Sequence, residues 1–110
     1  MKRSFIKRKI KSDTEKINEH FLRENQWTFF LSIWEERPHY SQISGIYLGK
    51  VPKTWMFDHL LEKGKYPELA FEKENIILCT FEEHEAKTMG NPLPRHKELI
   101  NQAKEAFLHK

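Results

Sequence analysis

Four large apolar side chains, Trp27, Phe30, Leu31 and Trp34, recur at i, i+3, i+4 and i+7. That spacing puts them on one face of a helix and commits the face to being covered. A chain of 110 residues has room for one modest core, so the stripe reads as the surface on which the domain is built, a partner-binding face being the other use for it. No cross-link shares the load. Cys79 is the only cysteine, which leaves neither an internal disulfide nor a four-cysteine zinc site, and packing has to hold the fold.

Along the chain, the basic residues are unevenly placed. Lys2, Arg3, Lys7, Arg8, Lys9 and Lys11 fall in a start without acids, leaving 13 of the 19 basic residues against all 16 acidic ones. Residues 1–12 therefore read as a basic flexible arm, able to attract nucleic-acid phosphates without reading sequence, or simply solubilising. Residues 13–110 read as a single domain. Ser12 and Glu15 fit a capping box, which predicts a helix over about 13–23, and the aromatic stripe extends a helical part to 36. After Arg37-Pro38 the pattern changes. The run Gly45-Ile46-Tyr47-Leu48-Gly49 reads as a strand, 50–53 as a turn and Thr54 to His59 as the returning strand of a hairpin. Residues 62–74, with Gly64, Pro67 and many charges, suit an exposed loop. An apolar run, Ile76-Ile77-Leu78-Cys79, precedes a second capping box, Thr80 with Glu83, opening a helix to about Met89 that Gly90 stops. Beyond Pro92 and Pro94, Leu99, Ile100, Ala103 and Phe107 mark a last helix over about 95–109. The expected class is α+β. No run of about 18 apolar residues occurs, and the basic start lacks the apolar centre of a secretion signal, so a cytoplasmic protein with no membrane partner is expected.

The chemistry-bearing residues lie in the second half. Asp58-His59 ends an apolar run, Asn75 follows the charged loop and His84 sits in the capped helix. Hydrolysing a phosphodiester requires an activated water, a cation to neutralise charge on the transition state and help for the departing oxygen. Histidine accepts a proton near neutral pH, so His59 is the candidate general base. Asp58 and His84 supply a mixed oxygen and nitrogen pair that leaves coordination positions open for phosphate and water. Neighbours on a regular strand face opposite ways, so the strand has to end or bend at Asp58-His59. Asn75 both donates and accepts, and can tie the loop to backbone near His59. Taken singly, Asp58 could cap a turn, His59 could be a bonded strand end, Asn75 a turn residue and His84 an exposed one; together they read as a metal site. Lys63, Lys65 and Arg95, with Lys97, are candidates for substrate phosphate, Lys65 foremost, against the default of solvated surface charge. His20, His39, His96 and His109 have no partner pattern and read as surface residues, and Cys79 as a buried small hydrophobe.

These residues carry a resemblance. Phe57-Asp58-His59-Leu60-Leu61, Lys65-Tyr66-Pro67-Glu68, Glu74 to Cys79 and Glu83-His84 resemble the His-Asn-His (HNH) endonucleases, especially small phage-encoded ones, with sixteen residues from His59 to Asn75 and nine from there to His84. The resemblance covers roughly 37–90 and implies a ββα-metal finger between N-terminal helices and a C-terminal helix. It also implies DNA as substrate, one divalent ion, magnesium or manganese, and a bacterial or phage setting. By matching position it makes His59 the general base, Asp58 and His84 the metal ligands and Asn75 the brace of the loop. Many relatives add two cysteine pairs that bind a structural zinc. Here Ser41 and Ser44 stand at the first pair, and near His84 only Cys79 remains, with Glu82 and Glu83. Serine is a poor zinc ligand, so no structural zinc is expected and the aromatic stripe is the candidate substitute scaffold. The loss of those pairs sustains an alternative: a catalytically weak or inactive HNH-like nucleic-acid-binding or phage accessory protein. The sequence leaves oligomeric state open.

Overall fold

The computed structural model describes residues 13–108. Helix α1 (Asp13–Glu36) leads to strands β1 (Phe57–His59) and β2 (Ile76–Leu78), then to helices α2 (Phe81–Thr88) and α3 (Pro94–Leu108). Single 3-10 turns occupy Thr54–Met56, Pro67–Leu69 and Lys73–Asn75. The described residues are thus α+β, with three α-helices and one two-stranded antiparallel sheet. Among them no helix is long and apolar enough to cross a membrane.

The helix expected over 13–23 and the striped helix after it are one element, because no proline or glycine interrupts the chain between Asp13 and Glu36. Ser12, half of the expected capping box, lies outside the described residues. The buried face is rotated from the expected one: Phe30 and Trp34 are buried with the fully enclosed Ile33, Trp27 is half-buried, and Leu31 joins neither core cluster.

The expected hairpin is corrected more deeply. Tyr47 makes only an isolated bridge to Tyr40, and Thr54 to Met56 form a turn, so β1 pairs with β2 instead. Gly49, at φ 93°, stops the first candidate strand at its end, and Pro52, which has no N–H, sits in the segment expected to turn it back. The wholly apolar Ile76–Leu78, buried throughout, offers a partner suited to a sheet covered on both sides.

The register sets Phe57 opposite Leu78, Asp58 opposite Ile77 and His59 opposite Ile76. Alternation then divides the core. Phe57, Ile76 and Leu78 pack with Phe30, Ile33 and Trp34 of α1, while Ile77 packs with Leu60, Leu61, Leu69 and Ala103 of α3. On the first side Phe30 stacks on Phe57, with ring centroids 4.5 Å apart and planes 3° from parallel; burying each ring contributes about 1.5–3 kcal/mol. Leu69 is the buried apolar anchor of the mostly exposed 62–74 loop, with Tyr66 half-buried beside it.

Helix α2 starts with the predicted capping box, in which the Thr80 hydroxyl accepts from Glu83 N and the Glu83 carboxylate accepts from Thr80 N. The same carboxylate oxygen accepts from the Ser41 hydroxyl at 2.6 Å, while Ser41 Oγ accepts from the backbone of Ile43 and Ser44. Hydrogen bonds thus join the 41–45 loop to α2 at the two segments where the resemblance leads one to look for cysteine pairs. Burial pushes the Glu83 carboxyl up, but the bonds from Ser41, Ser44 and Thr80 outweigh it and hold it below its ordinary value. A depressed carboxylate stabilises the fold above its unfolded-state pKa of about 4.3, and that contribution is lost as pH falls through the folded value. Glu83→Gln should therefore lower stability at pH 7 by about 1–2 kcal/mol and flatten the loss below about pH 4. Urea midpoints from pH 3 to 7 test this, and an acid limb as steep as in the wild type would refute it.

Helix α2 ends in a tight glycine stop. Gly90 N donates to Lys87 O and Asn91 N to Ala86 O, with Gly90 at φ 84°. This Schellman stop demands a left-handed residue, which glycine supplies without strain. The chain then turns through Pro92 and enters α3 at Pro94, bringing the first turn of α3 back against β1.

Candidate functional site

Asp58 lies on the sheet face that α3 covers, and it is buried. Its carboxylate is enclosed by three side chains. Lys87 Nζ, from the last turn of α2, donates to both Oδ1 and Oδ2 at 3.0 Å. His96 Nε2, from α3, lies 2.8 Å from Oδ2, and His84 Nε2 lies 3.8 Å from Oδ1. Burial pushes the Asp58 carboxyl up, but the His96 and Lys87 contacts prevail and the group stays below its ordinary value. A carboxylate offers about four lone-pair sites. Two bonds from Lys87 and one from His96 leave the remaining site on Oδ1, the oxygen near His84.

His59 is the last residue of β1 and alternates to the α1 side, where its ring centroid is 5.8 Å from that of Phe30. Its Nε2 is 3.0 Å from the carbonyl of Ala70 in the long loop. A carbonyl only accepts, so Nε2 carries the proton and Nδ1 is left as the ring's proton acceptor. Burial lowers the ring's pKa, the Ala70 bond opposes this, and the net is downward, which favours the neutral ring a proton acceptor needs. Asp58, His59, His84 and Lys87 all line one open cavity of about 230 Å³, together with Glu62 and Lys63 from the loop.

Asn75 is fully buried. Its Oδ1 accepts from Leu61 N at 2.8 Å, and its Nδ2 donates to Leu61 O at 2.9 Å and Leu69 O at 3.3 Å. The backbone adds Leu60 N to Asn75 O at 2.8 Å. The side chain therefore pins both ends of the loop two residues beyond His59. It lines no part of the cavity.

Of the candidate phosphate contacts, Lys63 lines the cavity and donates to Gln26 of α1 at 2.5 Å. Arg95 is paired with Glu98 at 2.5 Å and Lys65 lies 6.0 Å from the Tyr66 ring, both away from the cavity lining. Cys79 is buried, and burial first, with Asp58 and Glu83 nearby, pushes its thiol up, so it is inert as a nucleophile. His39 is corrected from a surface residue to one stacked on Trp34 at 3.7 Å. His96 is corrected completely: its exposure is 0% and it serves Asp58. Lys87 went unrecognised although it stands three residues after His84, a spacing that puts both on one helix face. His96 carries no sequence signal, since the turn that delivers it is a matter of tertiary geometry.

Among the described residues no group of three or more histidine, cysteine, aspartate or glutamate side chains is arranged to hold a metal ion. Asp58 and His84 are the two side chains near enough to share one. A separation of 3.8 Å is within the span of two ligands sharing an ion at about 2.1 Å each. The Lys87 ammonium lies among Asp58 Oδ1 and Oδ2 and the carbonyls of His59 and Leu60, so this oxygen-lined position favours positive charge. No protein-family model, curated protein or solved structure matches the chain.

Proposed function

We propose that the protein is a small metal-dependent endonuclease of the HNH type, with β1, β2 and α2 as a ββα-metal finger and DNA as its substrate. The observation that carries this reading is the convergence of Asp58, His59 and His84 on one open cavity, with Asn75 bracing the loop that frames it. A divalent ion, magnesium or manganese, held by the free side of Asp58 Oδ1 and by His84 would neutralise charge on the phosphate and the departing oxygen. His59 takes the proton of the attacking water at Nδ1, the nitrogen its Ala70 bond leaves free. Lys63, with its ammonium between the cavity and α1, is the lysine placed to meet a substrate phosphate.

One observation favours the second reading, a nucleic-acid-binding or accessory protein without useful activity. Lys87 already neutralises Asp58, so the carboxylate has a cationic partner without any ion. The two readings part on a plasmid assay. An active enzyme converts supercoiled plasmid to open circle in magnesium or manganese, stops in excess chelator, and loses its response to the ion in an Asp58→Ala, His84→Ala double variant. Plasmid left supercoiled across all concentrations of both ions would leave the accessory reading standing.

A further inference from the structure

We propose that His96 is a positioning residue for Asp58, holding Oδ2 so that Oδ1 remains turned to His84. This rests on the endonuclease reading in that Oδ1 is the candidate ligand atom. Two groups grip the carboxylate, and they do different things. Lys87 lies 3.0 Å from each oxygen and so does not distinguish them. His96 contacts Oδ2 alone, at 2.8 Å, and thereby decides which oxygen keeps an open side.

The environment of the ring shows that it is not there to fill space. His96 is wholly enclosed, and among the described residues its buried Nδ1 has no hydrogen-bond partner. A polar atom enclosed without a partner carries a desolvation cost that an apolar side chain of similar volume would avoid. The Nε2 bond to Asp58 is the polar contact that sets against that cost. It also places one proton: a carboxylate only accepts, so Nε2 carries the hydrogen it donates to Oδ2. The Schellman stop at Gly90 and the prolines at 92 and 94 place the ring, so the C-terminal helix, outside the span of the resemblance, takes part in the site.

Two measurements test this. Long-range 15N spectra of the wild-type imidazoles should show His96 protonated at Nε2, and an unprotonated Nε2 would overturn the proposal. Manganese affinity, followed by electron paramagnetic resonance below the melting transition, should fall about 10–100-fold in His96→Ala. It should largely return in His96→Gln, whose amide can donate to Oδ2. Equal loss of stability in both variants with wild-type manganese affinity would reduce His96 to a packing residue and end the proposal. If His96→Ala does not fold, the glutamine variant and the wild-type spectrum decide. Wild-type protein that binds no manganese would instead sink the metal reading of the site, and the ring spectrum alone then settles His96.

Discussion

His59→Ala should reduce magnesium-dependent nicking by about 10²–10⁴-fold, the range associated with losing a positioned general base. Manganese affinity should be unchanged, because His59 bonds to Ala70 and not to the Asp58 and His84 pair. That split separates a base from a ligand. The fold should survive with a loss of about 1 kcal/mol, the worth of one hydrogen bond between the strand end and the loop. Added imidazole should restore part of the rate, since the space vacated beside Phe30 opens on the cavity. Nicking rates, melting curves and manganese titrations on the same preparation check each part, and full activity in the variant would remove His59 from the chemistry.

What could be read from the sequence was what is settled within a few residues. The Thr80 and Glu83 capping box is readable because both halves lie in one turn, and the stop at Gly90 because only glycine takes its φ of 84° cheaply. Strand pairing was not readable. The Gly45 to Gly49 run read as the partner of β1, whereas the strand that pairs is Ile76 to Leu78, which α1 and α3 cover from the two sides of the sheet. The same arrangement answers the difficulty of Asp58 beside His59. No sharp bend is required, because alternation sends Asp58 toward α2 and α3 and His59 toward α1, while the cavity at the strand's end takes a wall from each. Lys87 was readable from its spacing to His84, and His96 was not, because a reading of local pattern has no access to where α3 returns.

Asn75→Ala should destabilise the protein by about 2–4 kcal/mol, since it strips partners from Leu61 N and O at once and leaves both inside the core. Asn75→Asp is the sharper test of how the residue works. It keeps an acceptor for Leu61 N but loses the two donated bonds, and it sets a carboxylate against the carbonyls of Leu61 and Leu69. If the brace acts through its donors, the aspartate variant should be at least as unstable as the alanine one, by urea midpoints at pH 7. An aspartate variant as stable as wild type would show that the donated bonds contribute nothing. Activity adds the functional half. Leu61 lies two residues beyond His59, and the Ala70 carbonyl that fixes the His59 ring follows Leu69, which Asn75 also holds. Loosening Leu61 and Leu69 therefore moves the base and its anchor together. In conditions where Asn75→Ala is still folded, nicking should fall by more than its unfolded fraction accounts for, because the positions of His59 and Ala70 depend on an amide that never enters the cavity.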